Sequence, residues 1–103
     1  MNLPKIEING VVHEMKKPVA RGWKSVEKFE QERKNIPLID YVDKLCEFLA
    51  PLFEGVTADD LLDNVPLEDI QKIYAECYVC YFNLLSGKFE ELEKNSPSTT
   101  VNH

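Results

Sequence analysis

Apolar and charged residues alternate near the start of the chain. In KIEINGVVHEM (residues 5–15), Ile6 and Ile8 are separated by a charged residue and are followed by Asn9-Gly10. Asn-Gly can supply the two positive φ angles of a type I′ turn, so this segment predicts a short β-hairpin. Two strands are not stable alone, and one face must pack on the rest of the chain. Pro18 should stop the second strand.

Beyond Pro18 the apolar spacing changes to three and four, the period of a helix. One helix is predicted from Ala20 to Lys34, with Gly22 weakening the prediction near its start. Its inner face is predicted to hold Trp23, Val26, Phe29 or Glu30, and Arg33.

A second helix is predicted over residues 37–53, where Pro51 should kink or end it and Gly55 follows as a natural stop. Its inner face is predicted to hold Leu38, Tyr41 or Val42, Leu45, Leu49 and Leu52, widened by Cys46, Phe48 and Phe53.

A short helix over TADDLLDN (residues 57–64) should begin with Thr57 as N-cap and Asp60 as its capping-box partner. Asn64 is predicted to cap the final helix, which should run from Leu67 to Lys94 with Pro66 in its first turn. The fold class is therefore α+β and mostly α: a short N-terminal β-hairpin followed by three to four helices, the last of them long. Residues 1–95 are predicted to form a single domain, and residues 96–103 a disordered tail.

The final helix is predicted to carry two neighbouring apolar stripes. One holds Ile70, Ile73, Cys77, Cys80, Tyr81 and Leu84; the other holds Tyr78, Phe82, Leu85, Phe89 and Leu92. At 100° per residue they span about 200°, twice the ~100° that packing on one side requires. Such a helix is either central in its domain or presents its extra face to a partner.

Cys77 and Cys80 have the C-x-x-C spacing of zinc and dithiol sites. A structural zinc site needs four ligands, yet Cys46 stands alone and the two histidines are His13 and His103. A redox dithiol needs a helix N-terminus, whereas Cys77 lies in mid-helix. We interpret these cysteines as small apolar packing residues, and expect no metal and no cofactor.

Catalytic patterns are also missing from the sequence, which has no Gly-rich phosphate loop and no nucleophile elbow. Helix capping explains the acidic pair Asp59-Asp60 without a catalytic role. We expect no catalytic residues and no enzyme.

Length and charge narrow the class of protein. A chain of 103 residues has room for one core. It also lacks a signal-peptide pattern and any apolar stretch long enough for a bilayer, so we expect a soluble, intracellular protein without membrane contact.

The net charge of -6 disfavours nucleic acid as the main partner, although residues 1–34 carry +3 and residues 38–70 carry -8. This asymmetry suits self-association, a charged partner, or simply solvated surface.

The basic segment 16–24 surrounds Trp23 with four positive charges. The indole could stack on a nucleic-acid base, or it could dock the first helix against the hairpin while the lysines stay in water. We favour docking, because the overall charge repels phosphate.

The order of the predicted elements is also informative. Four features of residues 5–95 carry a resemblance: the strand–Asn-Gly–strand start and the segments ARGWKSVEKFEQE, LIDYVDKLCEFLAPLFEGVTADDLLDNVPLEDI and YFNLLSGKFEELEKN. Together they resemble the small tail assembly chaperones of long-tailed phages and prophages of Gram-positive bacteria. The resemblance implies a non-enzymatic protein that binds the hydrophobic, helical tape measure protein before the tail tube forms around it. It also implies the cytoplasm of the host cell as the location, absence from the mature virion, and, in many members, a longer frameshifted form that would involve the tail tube protein.

A chaperone for such a client needs an exposed apolar face and enough charge to stay soluble. We expect Tyr78, Phe82, Leu85 and Phe89, with Trp23, to form a surface for the tape measure protein or for self-association. The alternative is a small regulatory or nucleic-acid-associated protein that uses segment 16–24.

Overall fold

The architecture is a β-hairpin followed by four α-helices, in agreement with the predicted fold class. A computed structural model describes residues 3–95, with side chains as far as Ser86. The predicted tail at 96–103 lies outside the described residues. The elements are β1 (Lys5–Ile8), β2 (Val11–Glu14), α1 (Ala20–Glu32), α2 (Leu38–Leu49), α3 (Ala58–Asn64) and α4 (Leu67–Asn95), with short 3-10 turns at Arg33–Asn35 and Ala50–Leu52.

The hairpin has the turn that its sequence predicts. Asn9 and Gly10 have φ angles of 51° and 83°, the positive values of a type I′ turn. Ile8 pairs with Val11 and Ile6 with His13 in an antiparallel register. The side chains of Ile6 and Ile8 are both buried in the core, so the face that needed a partner has one.

The chain after β2 fixes the hairpin to the end of α2. Met15 forms a single antiparallel bridge with Phe53, and both side chains are almost fully buried. The Lys16 amide donates a hydrogen bond of 2.8 Å to the Leu52 carbonyl. These contacts close the core on the hairpin side.

Helix α1 buries Val26 and Phe29, and the chain tightens into a 3-10 turn at Arg33, so the helix is slightly shorter than predicted. Gly22, despite its low helix propensity, is needed for the packing of α1 against Tyr81 of α4. A Cβ placed on Gly22 would lie 2.2 Å from the Tyr81 Oη atom and 2.9 Å from its Cζ atom. The absence of a side chain at Gly22 therefore lets α1 approach α4 closely.

Helix α2 buries Leu45, Cys46 and Leu49, and its α-helical part ends just before Pro51, as predicted. The prediction that Leu38 belongs to this inner face is wrong, because both Leu38 and Ile39 are 87% exposed. Tyr41 and Val42, one turn later, are half-buried. The first turn of α2 thus projects beyond the core, and only the later turns contact it.

Helix α3 starts with the predicted capping box. The Asp60 amide donates to Thr57 Oγ1 at 3.1 Å, and the Thr57 amide donates to Asp60 Oδ2 at 3.0 Å. The predicted capping of α4 by Asn64 is wrong: Asn64 is the last residue of α3, and its Nδ2 atom donates to the Asp60 carbonyl. The carbonyl of Pro66 instead accepts from the first turn of α4, at 3.1 Å from the Ile70 amide.

Three aromatic rings join α1, α2 and α4. Phe29 and Phe48 stack with 4.6 Å between ring centroids, and each lies in a T-shaped arrangement with Tyr74, at centroid distances of 5.6 and 5.9 Å. Such pairs add to the stability gained from the burial of their area. This cluster holds the first half of α4 against the other two helices.

A polar network closes the same junction at the surface. The Tyr74 hydroxyl donates to Glu30, whose carboxylate also accepts from Arg33 Nε at 2.9 Å. Arg33 Nη1 in turn donates to the Tyr41 hydroxyl at 3.1 Å. The Tyr74 hydrogen bond, followed by those from Arg33, holds the pKa of Glu30 below its ordinary value.

Candidate protein-binding surface

Burial changes along α4. Its first four turns place Ile70, Ile73, Tyr74, Cys77 and Tyr81 in the core. The next large apolar side chains are Phe82, Leu84 and Leu85, and they are 48%, 39% and 37% exposed. We call these three residues the exposed end of α4. At 100° per residue these three side chains span about 160° of the helix circumference. Their exposure therefore reflects how far along the helix axis they lie, and not their position on one polar side of the helix.

A row of aromatic rings leads from α1 to this exposed end. Trp23 lies beside Tyr78 with 6.2 Å between ring centroids, and Tyr78 stacks on Phe82 at 6.3 Å with an angle of 14° between the planes. We call these three residues the aromatic ridge. Trp23 and Tyr78 are half-buried, whereas about half of Phe82 is exposed. The ridge therefore offers a preformed apolar surface at the rim of the core.

An open groove runs along a different side of α4 from the aromatic ridge. Its volume is about 940 Å³, and it lies between the start of the chain and α4. It is lined by Leu3, Pro4, Lys5, Ala75, Glu76, Val79, Cys80, Asn83 and Leu84. Leu84 belongs both to this groove and to the exposed end of α4, so the two apolar surfaces meet there.

The structure brings together three of the five residues predicted to bind a protein, namely Trp23, Tyr78 and Phe82. Leu85 follows one turn after Phe82 and is exposed as expected. The side chain of Phe89 lies outside the described residues.

Sequence reasoning missed the groove and the exposure of Leu84. Val79 was a usable signal, because it is a large apolar residue on the polar side of the α4 wheel. The exposure of Leu84 had no comparable signal, since its place on the wheel is on the buried side.

The basic segment 16–24 presents its charges to solvent. Lys16, Lys17, Arg21 and Lys24 are all exposed, and Lys16 lies 3.9 Å from Glu54. Trp23 packs beside Tyr78 of α4, and its docking against the hairpin stays a prediction. Part of the indole is thereby occupied within the chain.

The cysteines are packing residues in this fold. Cys46 and Cys77 are fully buried, and burial raises the pKa of the Cys77 thiol to about 12. Cys80 is half-buried in the groove. Within the part of the chain that the structure describes, no three His, Cys, Asp or Glu residues are grouped so that they could hold a metal ion.

Comparison with protein-family models, curated proteins and solved structures gave no match for this chain. Among the described helices, none combines the length and the apolar character needed to span a bilayer.

Proposed function

We propose that this protein is a non-enzymatic binding protein for an apolar helical partner, and that it acts as a phage tail assembly chaperone for the tape measure protein. The observation that carries the proposal is the exposed end of α4 beside the aromatic ridge. Phe82, Leu84 and Leu85 have a third to a half of their side chains in water although the core beneath them is well packed.

The geometry favours a helix as the partner. A helix that packs on another helix contributes residues at spacings of three and four, and the ridge offers Tyr78 and Phe82 at a spacing of four. Trp23 adds a third ring on the neighbouring helix, so a partner would contact α1 as well as α4. Aromatic residues of this kind are enriched where binding energy is concentrated.

The charge of the chain suits a chaperone for an apolar client. A net charge of -6 on 103 residues keeps a complex with a hydrophobic helical protein in solution. The tape measure protein is the client implied by the resemblance over residues 5–95, and the cytoplasm of the bacterial host is where the two would meet. The tail tube protein would join through a longer form of the chain.

Co-expression with the tape measure protein, followed by pull-down, tests the proposal. We expect the wild-type chain to keep the client soluble, and Phe82→Asp together with Phe89→Asp to abolish capture. Leu38→Asp is the matched control, because Leu38 is an exposed apolar residue on another helix. Circular dichroism should show that all the variants keep their helix content. Full capture by the folded double variant would contradict the proposed surface.

The alternative, a nucleic-acid-associated protein using segment 16–24, has less support. Trp23 is engaged with Tyr78, which leaves only part of the indole for a base. Salt-dependent binding of DNA or RNA that is lost on charge reversal of Lys16, Lys17 and Arg21 would favour it.

A further inference from the structure

The contact between α1 and α4 contains one complete site for a cation. The guanidinium carbon of Arg33 lies over the Tyr74 ring, 5.4 Å from its centroid, and Arg33 Nε donates to the Glu30 carboxylate at 2.9 Å. The same carboxylate accepts from the Tyr74 hydroxyl. An aromatic face and a carboxylate together stabilise the positive charge, and all three groups come from this chain.

One turn further along α4, a second carboxylate lies beside a second ring. The two helices run antiparallel, since Trp23 contacts Tyr78 while Glu30, further along α1, contacts Tyr74. Glu27 comes between these two contacts, four residues after Trp23 and on the same side of α1. Burial, followed by the negative charges of Glu27 and Glu30, raises the pKa of the Tyr78 hydroxyl. The half-buried Glu27 carboxylate therefore lies at the edge of the aromatic ridge.

This second position holds no cation from the described residues. Glu27 takes part in none of their ion pairs, and its Oε2 atom accepts from the neutral amide of Gln31 at 2.9 Å. Lys24, three residues before Glu27, is exposed and is not paired with it. In the complete site Arg33 follows its carboxylate by three residues, whereas the residue three places after Glu27 is Glu30. The second ring and carboxylate are therefore left for a cation from another molecule.

We propose that a partner helix packed on the aromatic ridge inserts an arginine between Glu27 and Tyr78. The site rests on the proposed function, in which the ridge receives a helix, and it adds the chemistry of that helix: an apolar stripe flanked by a basic residue. Helix α4 carries no charge between Glu76 and Lys88, so the charge beside these rings comes from α1. The net charge of -6 also attracts a basic partner more than an acidic one.

Arginine suits this position better than lysine does. Its planar guanidinium stacks on a ring while its N–H groups donate to a carboxylate, as Arg33 does with Tyr74 and Glu30. Oε1 of Glu27 accepts no hydrogen bond within the described part of the chain. A guanidinium on the Tyr78 ring can therefore donate to Oε1 without displacing the amide that already occupies Oε2.

Fluorescence anisotropy with labelled helical peptides tests this site on the purified full chain. Three peptides share one leucine stripe at spacings of three and four and differ only at the flanking positions, which hold arginine, glutamine or glutamate. We expect the arginine peptide to bind with a Kd about fivefold lower than that of the glutamine peptide, and the glutamate peptide to bind most weakly. Added salt should narrow these differences, because it screens the charges.

Matched variants of the chain locate the preference. Glu27→Gln should raise the Kd of the arginine peptide about threefold to fivefold and leave that of the glutamine peptide within about twofold. Glu32→Gln is the control, because it removes the same charge from an exposed position nine residues after Trp23, on the opposite side of α1. Tyr78→Leu keeps an apolar side chain without the ring and should also reduce the preference for arginine.

The outcomes separate this site from the proposed function. Equal binding of the arginine and glutamine peptides to the wild type, or the same loss with Glu27→Gln as with Glu32→Gln, would overturn the arginine site and leave the ridge as a helix-binding surface. No binding of any peptide would contradict the ridge itself, and the arginine site with it. A chain that prefers the arginine peptide through Glu27 but does not capture the tape measure protein would contradict the chaperone role alone.

Discussion

The replacement of Gly22 by alanine tests the close packing of α1 on α4. The new methyl group would lie 2.2 Å from Oη and 2.9 Å from Cζ of Tyr81, a ring that is only 6% exposed. Overpacking of a core costs about 1–3 kcal/mol. The hydroxyl oxygen and two ring atoms of Tyr81 are too close to the new methyl, which puts this case towards the upper end. The gain in helix propensity from glycine to alanine offsets about 1 kcal/mol. We therefore expect a net loss of about 1–2 kcal/mol in the free energy of unfolding.

Urea denaturation followed by circular dichroism measures this loss, and a double-mutant cycle with Tyr81→Phe locates its cause. Without the hydroxyl the shortest contact disappears, so the double variant should be more stable than the sum of the single effects by at least about 0.5 kcal/mol. Ser25→Ala, at an exposed position of the same helix, is the control and should stabilise the fold slightly. If Gly22→Ala stabilises the protein as much as this control does, the crossing of α1 and α4 at Tyr81 is refuted.

Three further predictions concern the rest of the fold. The hydrogen bond from the Tyr74 hydroxyl holds the pKa of Glu30 below its ordinary value of 4.5. The ionised Glu30 carboxylate therefore stabilises the fold above pH 4.5, and this stabilisation is lost as the pH falls through the lowered pKa of the folded state. The difference in urea midpoint between wild type and Glu30→Gln should therefore shrink below pH 4.5, and a constant difference would count against the network. Thr57→Ala should cost about 1 kcal/mol in thermal or urea unfolding while Thr57→Ser retains the cap, and equal stability of the two variants would exclude the capping box. Chelators and reductants should leave the melting temperature unchanged because Cys77 is a buried packing residue, and a clear shift with either reagent would contradict that role.

The sequence predicted the local features well. The Asn9-Gly10 turn, the Thr57 cap and the end of α2 at Pro51 depend on backbone preferences of a few neighbouring residues. Asn64 shows the limit of such reasoning, because a residue that suits the start of one helix was used at the end of the preceding one.

The sequence could not predict which turns of a helix contact the core and which extend beyond it. A helical wheel gives the side on which a residue lies but not how far the neighbouring elements extend along it. Leu38 was placed on an inner face, and Leu84 on the same stripe of α4 as Ile70 and Cys77. Both proved exposed, Leu38 in the first turn of α2 and Leu84 beyond the buried part of α4. Gly22 weakened the prediction of α1 for a related reason. Its packing role depends on the ring of Tyr81, which lies 59 residues later in the chain.

The candidate surface was predicted in part. The width of the apolar arc on α4 indicated an extra face, and Phe82 and Leu85 are on it. The groove beside Leu3 and Pro4 was not predictable, because it exists only once the start of the chain is placed against α4.

The most direct test of the proposed function is capture of the tape measure protein by the wild-type chain and by the Phe82→Asp, Phe89→Asp double variant, with Leu38→Asp as control. The proposal predicts that the wild type and the control keep the client soluble and retain it on pull-down, while the folded double variant does not. Equal capture by all three chains, or no capture by the wild type, would contradict it.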